Sequence, residues 1–268
     1  MKDVNILIES GVDVKKSLEL FGDMNTYDTM LEDFLKEVDG KVASAKRYLD
    51  MSDMANYAIL VHSLKSDCRY FGINALADMY YEHELAGKRN DIYFVRENFD
   101  SLMSETKKML NVLKRYMGVL IEEPAVQSTV PPVNLSTGKG EETIIVVDDS
   151  NIIRNFIQKI FAGRYKVIAV NDGQEAIGTI DNMPTDKIMC IFLDLNMPGV
   201  DGFQVLDHFK ASGLFDKVPV SIISGSNDTE TIDKCFSYPI IDMLQKPFNE
   251  GKIRDIAEKM IARKNAKL

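Results

Sequence analysis

Residues 143–161 read TIIVVDDSNIIRNFIQKIF, and the change of periodicity inside them decides the fold. The β-branched run Thr143–Val147 suits a strand covered on both faces. The stripe Ile152, Ile153, Phe156, Ile157 and Ile160 then repeats at helical spacing. Working outward, KVIAV (166–170), IMCIFL (188–193), VPVSII (218–223) and IIDML (240–244) are further strand candidates. Helical patterns separate them, and Ile253, Ile256, Met260 and Ile261 mark another near the end of the chain. This alternation predicts an α/β domain, a doubly wound five-stranded parallel sheet with helices on both faces. Its ligand site should lie beyond the carboxyl ends of the strands.

Upstream the pattern changes. None of the eight prolines falls in residues 1–123, whereas Pro124, Pro131 and Pro132 lie in EEPAVQSTVPPVNLSTGKGEE. Residues 121–141 read as a flexible linker between a domain at 1–120 and a domain at 142–268. In the first domain Leu31, Phe34, Leu35 and Val38 mark one helix, and Leu102, Met103, Met109, Leu110 and Leu113 another. Breaks are expected near Gly22, at Met51 to Asp53, at Gly72 and near Gly87. Short connections imply an all-α antiparallel helical bundle.

A net charge of -9 argues against nucleic-acid binding and against anionic membrane surfaces. No apolar run approaches the ~20 residues needed to span a bilayer, and the start of the chain lacks a secretory pattern, so membrane insertion is not expected and a cytoplasmic location is. Cys68, Cys190 and Cys235 have no metal-ligand spacing and read as buried small apolar side chains.

On the strand map, Asp148 and Asp149 end the first strand, Asp194 the third, Ser224 the fourth and Lys246 the fifth. Each residue taken singly has a plain reading as a helix cap or a loop residue. Together they bring three carboxylates to one edge, where mutual repulsion calls for a cation. Mg²⁺, which prefers oxygen ligands and shares them with phosphate, is the natural one. One carboxylate can then attack a phosphoryl group, with Lys246 and Ser224 meeting the charge on the transferring oxygens.

The motifs VVDDS, FLDLNMPGVDG, SIISGSN and QKPF make residues 142–266 resemble a response-regulator receiver domain, which has a flavodoxin-like fold. That resemblance implies Asp194 as phosphoacceptor and Mg²⁺ ligand, Asp149 as a direct Mg²⁺ ligand and Asp148 as an acidic residue acting through water. It further implies Asn196 as a backbone-carbonyl ligand, Ser224 as the hydroxyl switch and Lys246 as the phosphate-pairing lysine. Met243 stands where the family often carries an aromatic switch residue.

In the first domain, Leu60, Leu64 and Cys68 repeat every four residues and define a buried stripe. His62 lies about 160° from it and is expected to face water. Ala58 and Ser66 are small neighbours that should let a partner approach, while Lys65 and Arg69 supply positive charge. HSLKSDCRYFG resembles the HxLKGxSxxxG signature of histidine phosphotransfer (HPt) domains, over about residues 8–118. The resemblance implies His62 as the phosphorylated residue, Lys65 as the supporting lysine and Gly72 as the closing glycine. Ser66 and Cys68 depart from the signature but stay small. His83 and His208 read as ordinary surface or packing residues.

Neither a GxxxxGK[ST] loop nor the ATP lid of a histidine kinase is present in the sequence, so ATP must be used by a separate histidine kinase. The expected function is a phosphorelay intermediate passing phosphate between Asp194 and His62 and on to a downstream response regulator. A linker of this length also permits interdomain docking. The alternatives are a phosphate sink and a phosphorylation-switched binding module in which His62 is dispensable.

Overall fold

The computed structural model describes residues 2–119, 142–225 and 229–267. The expected linker lies outside them. The chain divides into two compact units, Met1–Ser136 and Thr137–Leu268.

Among its described residues the first unit is helical: α1 (Asn5–Glu9), α2 (Val14–Phe21), α3 (Met24–Asp50), α4 (Met54–Tyr70), α5 (Asn74–Lys88) and α6 (Ile92–Met117). Aspartates start four of these helices. The carboxylates of Asp13, Asp23, Asp53 and Asp91 each accept a hydrogen bond from a backbone N–H in the first turn. Gly22 and Gly118 end α2 and α6 at positive φ.

All four expected breaks are found; the one near Gly87 falls just past it, where α5 ends at Lys88 and the chain turns through Asn90 (φ 57). Gly87 itself serves packing, since a Cβ there would lie 3.0 Å from the Ala58 Cβ. Gly72 is required twice over. Its φ is +72°, and a Cβ would fall 2.4 Å from the Asp13 carbonyl oxygen. The Asp13 N–H in turn donates to the Gly72 carbonyl at 2.9 Å, tying the start of α2 to the α4–α5 turn.

Eleven of the 17 residues of α4 are buried, so this helix has no single apolar stripe. On one side Lys41 of α3 reaches Ser63 at 3.1 Å and Asp67 at 2.7 Å. Elsewhere Tyr57 meets His83 of α5, hydroxyl to Nδ1 at 2.7 Å. His83 is 3% exposed, and burial lowers its pKa from 6.5 to about 4.

His83 is therefore neutral in the fold, while the unfolded chain takes up a proton below about pH 6.5. The stabilisation is complete above that pH and is lost as pH falls toward 4, by at most about 3 kcal/mol. Denaturant titrations of the wild type and His83→Gln should differ in slope between pH 6.5 and 5. Parallel pH profiles would refute the assignment.

The second unit runs β1 (Thr143–Val147), α7 (Asn151–Phe161), β2 (Lys166–Val170), α8 (Gly173–Asp181), β3 (Ile188–Asp194), α9 (Gly202–Ala211), β4 (Val220–Ser224), α10 (Thr229–Phe236), β5 (Met243–Gln245) and α11 (Glu250–Lys267), with a 3-10 turn at Leu214–Asp216. The strands are parallel in the order β2-β1-β3-β4-β5. β1 and β3 are buried along their whole length, which is why they read as unbroken apolar runs. β5 is shorter and later than the expected IIDML. Ile241 already donates to Val220, but Pro239 and the Tyr238–Ile240 turn delay regular pairing until Met243. Strand order reverses between β1 and β3, opening a crevice at their carboxyl ends.

Among the described residues, no helix is long and apolar enough to cross a membrane. The three cysteines are free and buried, as expected.

Candidate functional site

The crevice between β1 and β3 holds the acidic residues. Asp148 and Asp149 follow the last residue of β1, and Asp194 closes β3. Ligand-capable oxygens of all three lie within 4.8 Å of one another. Asp148 is 0% and Asp194 1% exposed, while Asp149 is half-buried. The register that sets Asp194 against Ile223 carries Ser224 one residue further along β4, fully buried. The Lys246 N–H donates to the Ser224 carbonyl at 2.8 Å. This holds the lysine beside the crevice, with Nζ 2.8 Å from Asp148 Oδ2 and 2.8 Å from Asp194 Oδ2. Asn196 donates its N–H to Asp194 Oδ1 at 3.3 Å, and Ser150 its own to Asp148 Oδ1 at 2.9 Å.

One ammonium among three carboxylates leaves the crevice negative. Burial pushes the pKa of Asp194 up to about 7, with repulsion from Asp148 and Asp149 adding to it and attraction to Lys246 opposing it. Burial works against the Lys246 charge as well, but the carboxylates prevail and hold it above the ordinary lysine range.

The histidine site lies in the α4–α5 seam. His62 Nδ1 is 2.8 Å from Glu84 Oε1, a charge-assisted contact. Lys65 Nζ is 2.6 Å from Glu84 Oε2 and 3.3 Å from His62 Nδ1, and Lys88 Nζ is 2.7 Å from Glu84 Oε1. We place the ring proton on Nδ1, shared with the carboxylate, so that Nε2 carries the lone pair. Burial opposes the Glu84 charge, but the hydrogen bond from His62, with the Lys65 ammonium, holds its carboxyl well below the usual range. Burial lowers the pKa of Lys65, against the attraction of Glu84.

A family model described as the Hpt domain matches residues 29–114, and one described as the response regulator receiver domain matches residues 144–258. The chain carries an Hpt domain followed by a receiver domain. That pairing gives it a phosphorelay role. The two-component response regulator ARR6 of Arabidopsis thaliana is 28% identical over 127 residues, covering 44% of this chain and 68% of that protein. ORR5 of Oryza sativa subsp. japonica is 27% identical, covering 46% and 90%. The chemotaxis protein CheY4 of Vibrio cholerae is a solved structure at 22% identity and TM-score 0.41, covering 44% of this chain and 98% of its own.

In the receiver domain the structure assembles Asp148, Asp149, Asp194, Asn196 and Lys246, with Ser224 at the end of the neighbouring strand. Receiver domains bind Mg²⁺ through acidic residues, and the oxygen-rich, net-negative crevice fits a hard divalent cation. Met243 occupies the expected position, half-buried at the edge of the core.

In the Hpt domain three expectations are corrected. His62 is 4% exposed rather than facing water, because α4 is covered on more than one side and the ring turns toward α5. Ala58 and Ser66 are buried too, and the space expected at Ala58 for a partner is filled by Gly87. Arg69 points away from His62, to Asn74 at 3.1 Å and to Asp78. His83 and His208 are packing and surface residues, the latter bonding Asp181 at 2.8 Å.

Sequence reasoning missed Glu84 and Lys88. A signal was present in the hairpin. In an antiparallel helix pair, residues nearly equidistant from the turn face each other, and His62 precedes Gly72 by 10 residues while Glu84 follows it by 12.

Proposed function

We propose that this chain is a cytoplasmic phosphorelay intermediate in which a separate histidine kinase phosphorylates Asp194, His62 accepts that phosphoryl group and a downstream response regulator takes it. The domains run over residues 1–120 and 142–268. The observation that carries this reading is the Glu84 carboxylate on His62 Nδ1, which orients the ring and directs its lone pair to Nε2. In the transfer the Nε2 lone pair forms a bond to phosphorus as the bond from phosphorus to the Asp194 carboxylate oxygen breaks. The electron pair returns to Asp194. The positive charge that develops on the imidazole is met by Glu84, while Lys65 and Lys88 stand ready for the phosphoryl oxygens.

Asp148, Asp149, Asp194 and the Asn196 carbonyl would hold Mg²⁺, which when bound neutralises charge on phosphoryl oxygens. Lys246 pairs with the same oxygens, and the Ser224 hydroxyl hydrogen-bonds one of them. Because Asp194 must lose its proton to act as a ligand, Mg²⁺ affinity should fall as pH drops through about 7. Titrations one pH unit to either side of neutrality test this; equal affinities would contradict it.

Loading the protein with acetyl phosphate and Mg²⁺, then mapping phosphate in wild type, Asp194→Asn and His62→Gln, tests the relay. Phosphate on His62 that vanishes in Asp194→Asn is expected. The burial of His62 favours one other reading, a phosphorylation-switched binding module. Phosphate confined to Asp194, with His62→Gln signalling normally, would establish that reading instead. Rapid hydrolysis from Asp194 with no onward transfer would mark a phosphate sink.

A further inference from the structure

At the opposite end of the receiver sheet from its acidic crevice, a cavity of about 160 Å³ is lined by Thr185, Asp186, Phe215–Pro219, Arg263 and Lys264. These residues precede β3 and β4 or end α11, so they share nothing with the crevice. Lys264 lines it and is 5% exposed. Its Nζ donates to the Thr185 carbonyl at 2.6 Å and the Lys217 carbonyl at 3.1 Å, which accounts for two of its three protons. Among the described residues no carboxylate lies within ion-pair distance of it. A buried ammonium whose hydrogen bonds go only to neutral carbonyls is costly. Burial lowers its pKa, with Asp186 attracting it from farther off.

We propose that this cavity binds a small oxyanion, a carboxylate or a phosphate compound, whose charge meets Lys264. Three observations converge on that class of ligand. The lining carries three cations, Lys217, Arg263 and Lys264, against two carboxylates, Asp186 and Asp216. Two carbonyl acceptors leave the third Lys264 proton without one among the described residues. Phe215, Val218 and Pro219 give an apolar wall, and cavities near ~150 Å³ accept a molecule of benzene's size. A compact anion with a short hydrocarbon portion matches both features.

The test is a titration of the full-length protein, without Mg²⁺, with acetate, benzoate and inorganic phosphate, each against chloride at matched ionic strength. Amide chemical shifts of Thr185, Asp186 and Val218 report binding. Saturable shifts with dissociation constants on the order of millimolar are expected, weakened about tenfold by Lys264→Met and a few-fold by the exposed Arg263→Ala. Asp194→Asn should leave them unchanged. A response to phosphate alone would identify a phosphate compound, and a response to acetate or benzoate an organic acid. If no anion saturates above chloride, or if binding survives both Lys264→Met and Arg263→Ala, the proposal is overturned. Arg263→Ala keeps the test informative should Lys264→Met fail to fold.

Discussion

Glu84→Ala is expected to slow phosphoryl acceptance by His62 about a hundredfold, the scale of losing one positioned acid–base partner. The carboxylate contacts Nδ1 at 2.8 Å and is the group placed to meet the charge that develops on the ring during attack. Without it the proton can move to the other nitrogen, and Lys65 and Lys88 lose their shared partner. Leaving the half-buried Lys65 uncompensated should also cost about 2 kcal/mol of stability. Glu84→Gln separates the two effects, since it retains an acceptor for Nδ1 without the charge and should transfer at an intermediate rate. The measurement is the rate of phosphate appearance on His62 from a phosphorylated receiver, with Asp194 labelling by acetyl phosphate as the internal control. Wild-type transfer by a folded Glu84→Ala protein would remove Glu84 from the mechanism.

Gly202→Ala is expected to lower stability by about 3 kcal/mol and to weaken Mg²⁺ binding at least tenfold. A Cβ at Gly202 would lie 2.2 Å from the Asp194 carbonyl oxygen and 2.7 Å from the Leu195 Cα, both backbone atoms that cannot swing aside as a side chain would. The Gly202 N–H also donates to the Leu195 carbonyl at 3.0 Å, so relief requires moving the connection from β3 to α9 and Asp194 with it. Gly178→Ala, where an added Cβ meets nothing within 4 Å in the middle of α8, is the contrasting case. It should be neutral or stabilising by up to about 1 kcal/mol. Denaturant midpoints and Mg²⁺ titrations on both variants decide the matter. An unchanged Mg²⁺ affinity in Gly202→Ala would show that the close approach does not position Asp194.

The receiver half was legible because its determinants are local. A strand covered on both faces is apolar throughout, so TIIVV and IMCIFL announce themselves, and parallel pairing then places the residue after each strand at a common edge. Asp148, Asp149, Asp194, Ser224 and Lys246 could therefore be assembled from their positions alone. β5 was less legible because IIDML includes residues that approach the sheet through a turn before regular pairing begins.

The helical half yielded its bundle class and its turns to periodicity and glycines. It did not yield the setting of His62. Helical periodicity assigns a buried and an exposed side only when a helix is covered on one side, and α4 has neighbours on several. The sequence by itself determined two domains, the five-stranded sheet and the convergence of acidic residues, because strand ends and chain order fix them. Only the tertiary structure decided that His62 is buried against Glu84 between two lysines, because that site is made where two helices close on each other, Gly87 against Ala58, across residues that no local pattern connects.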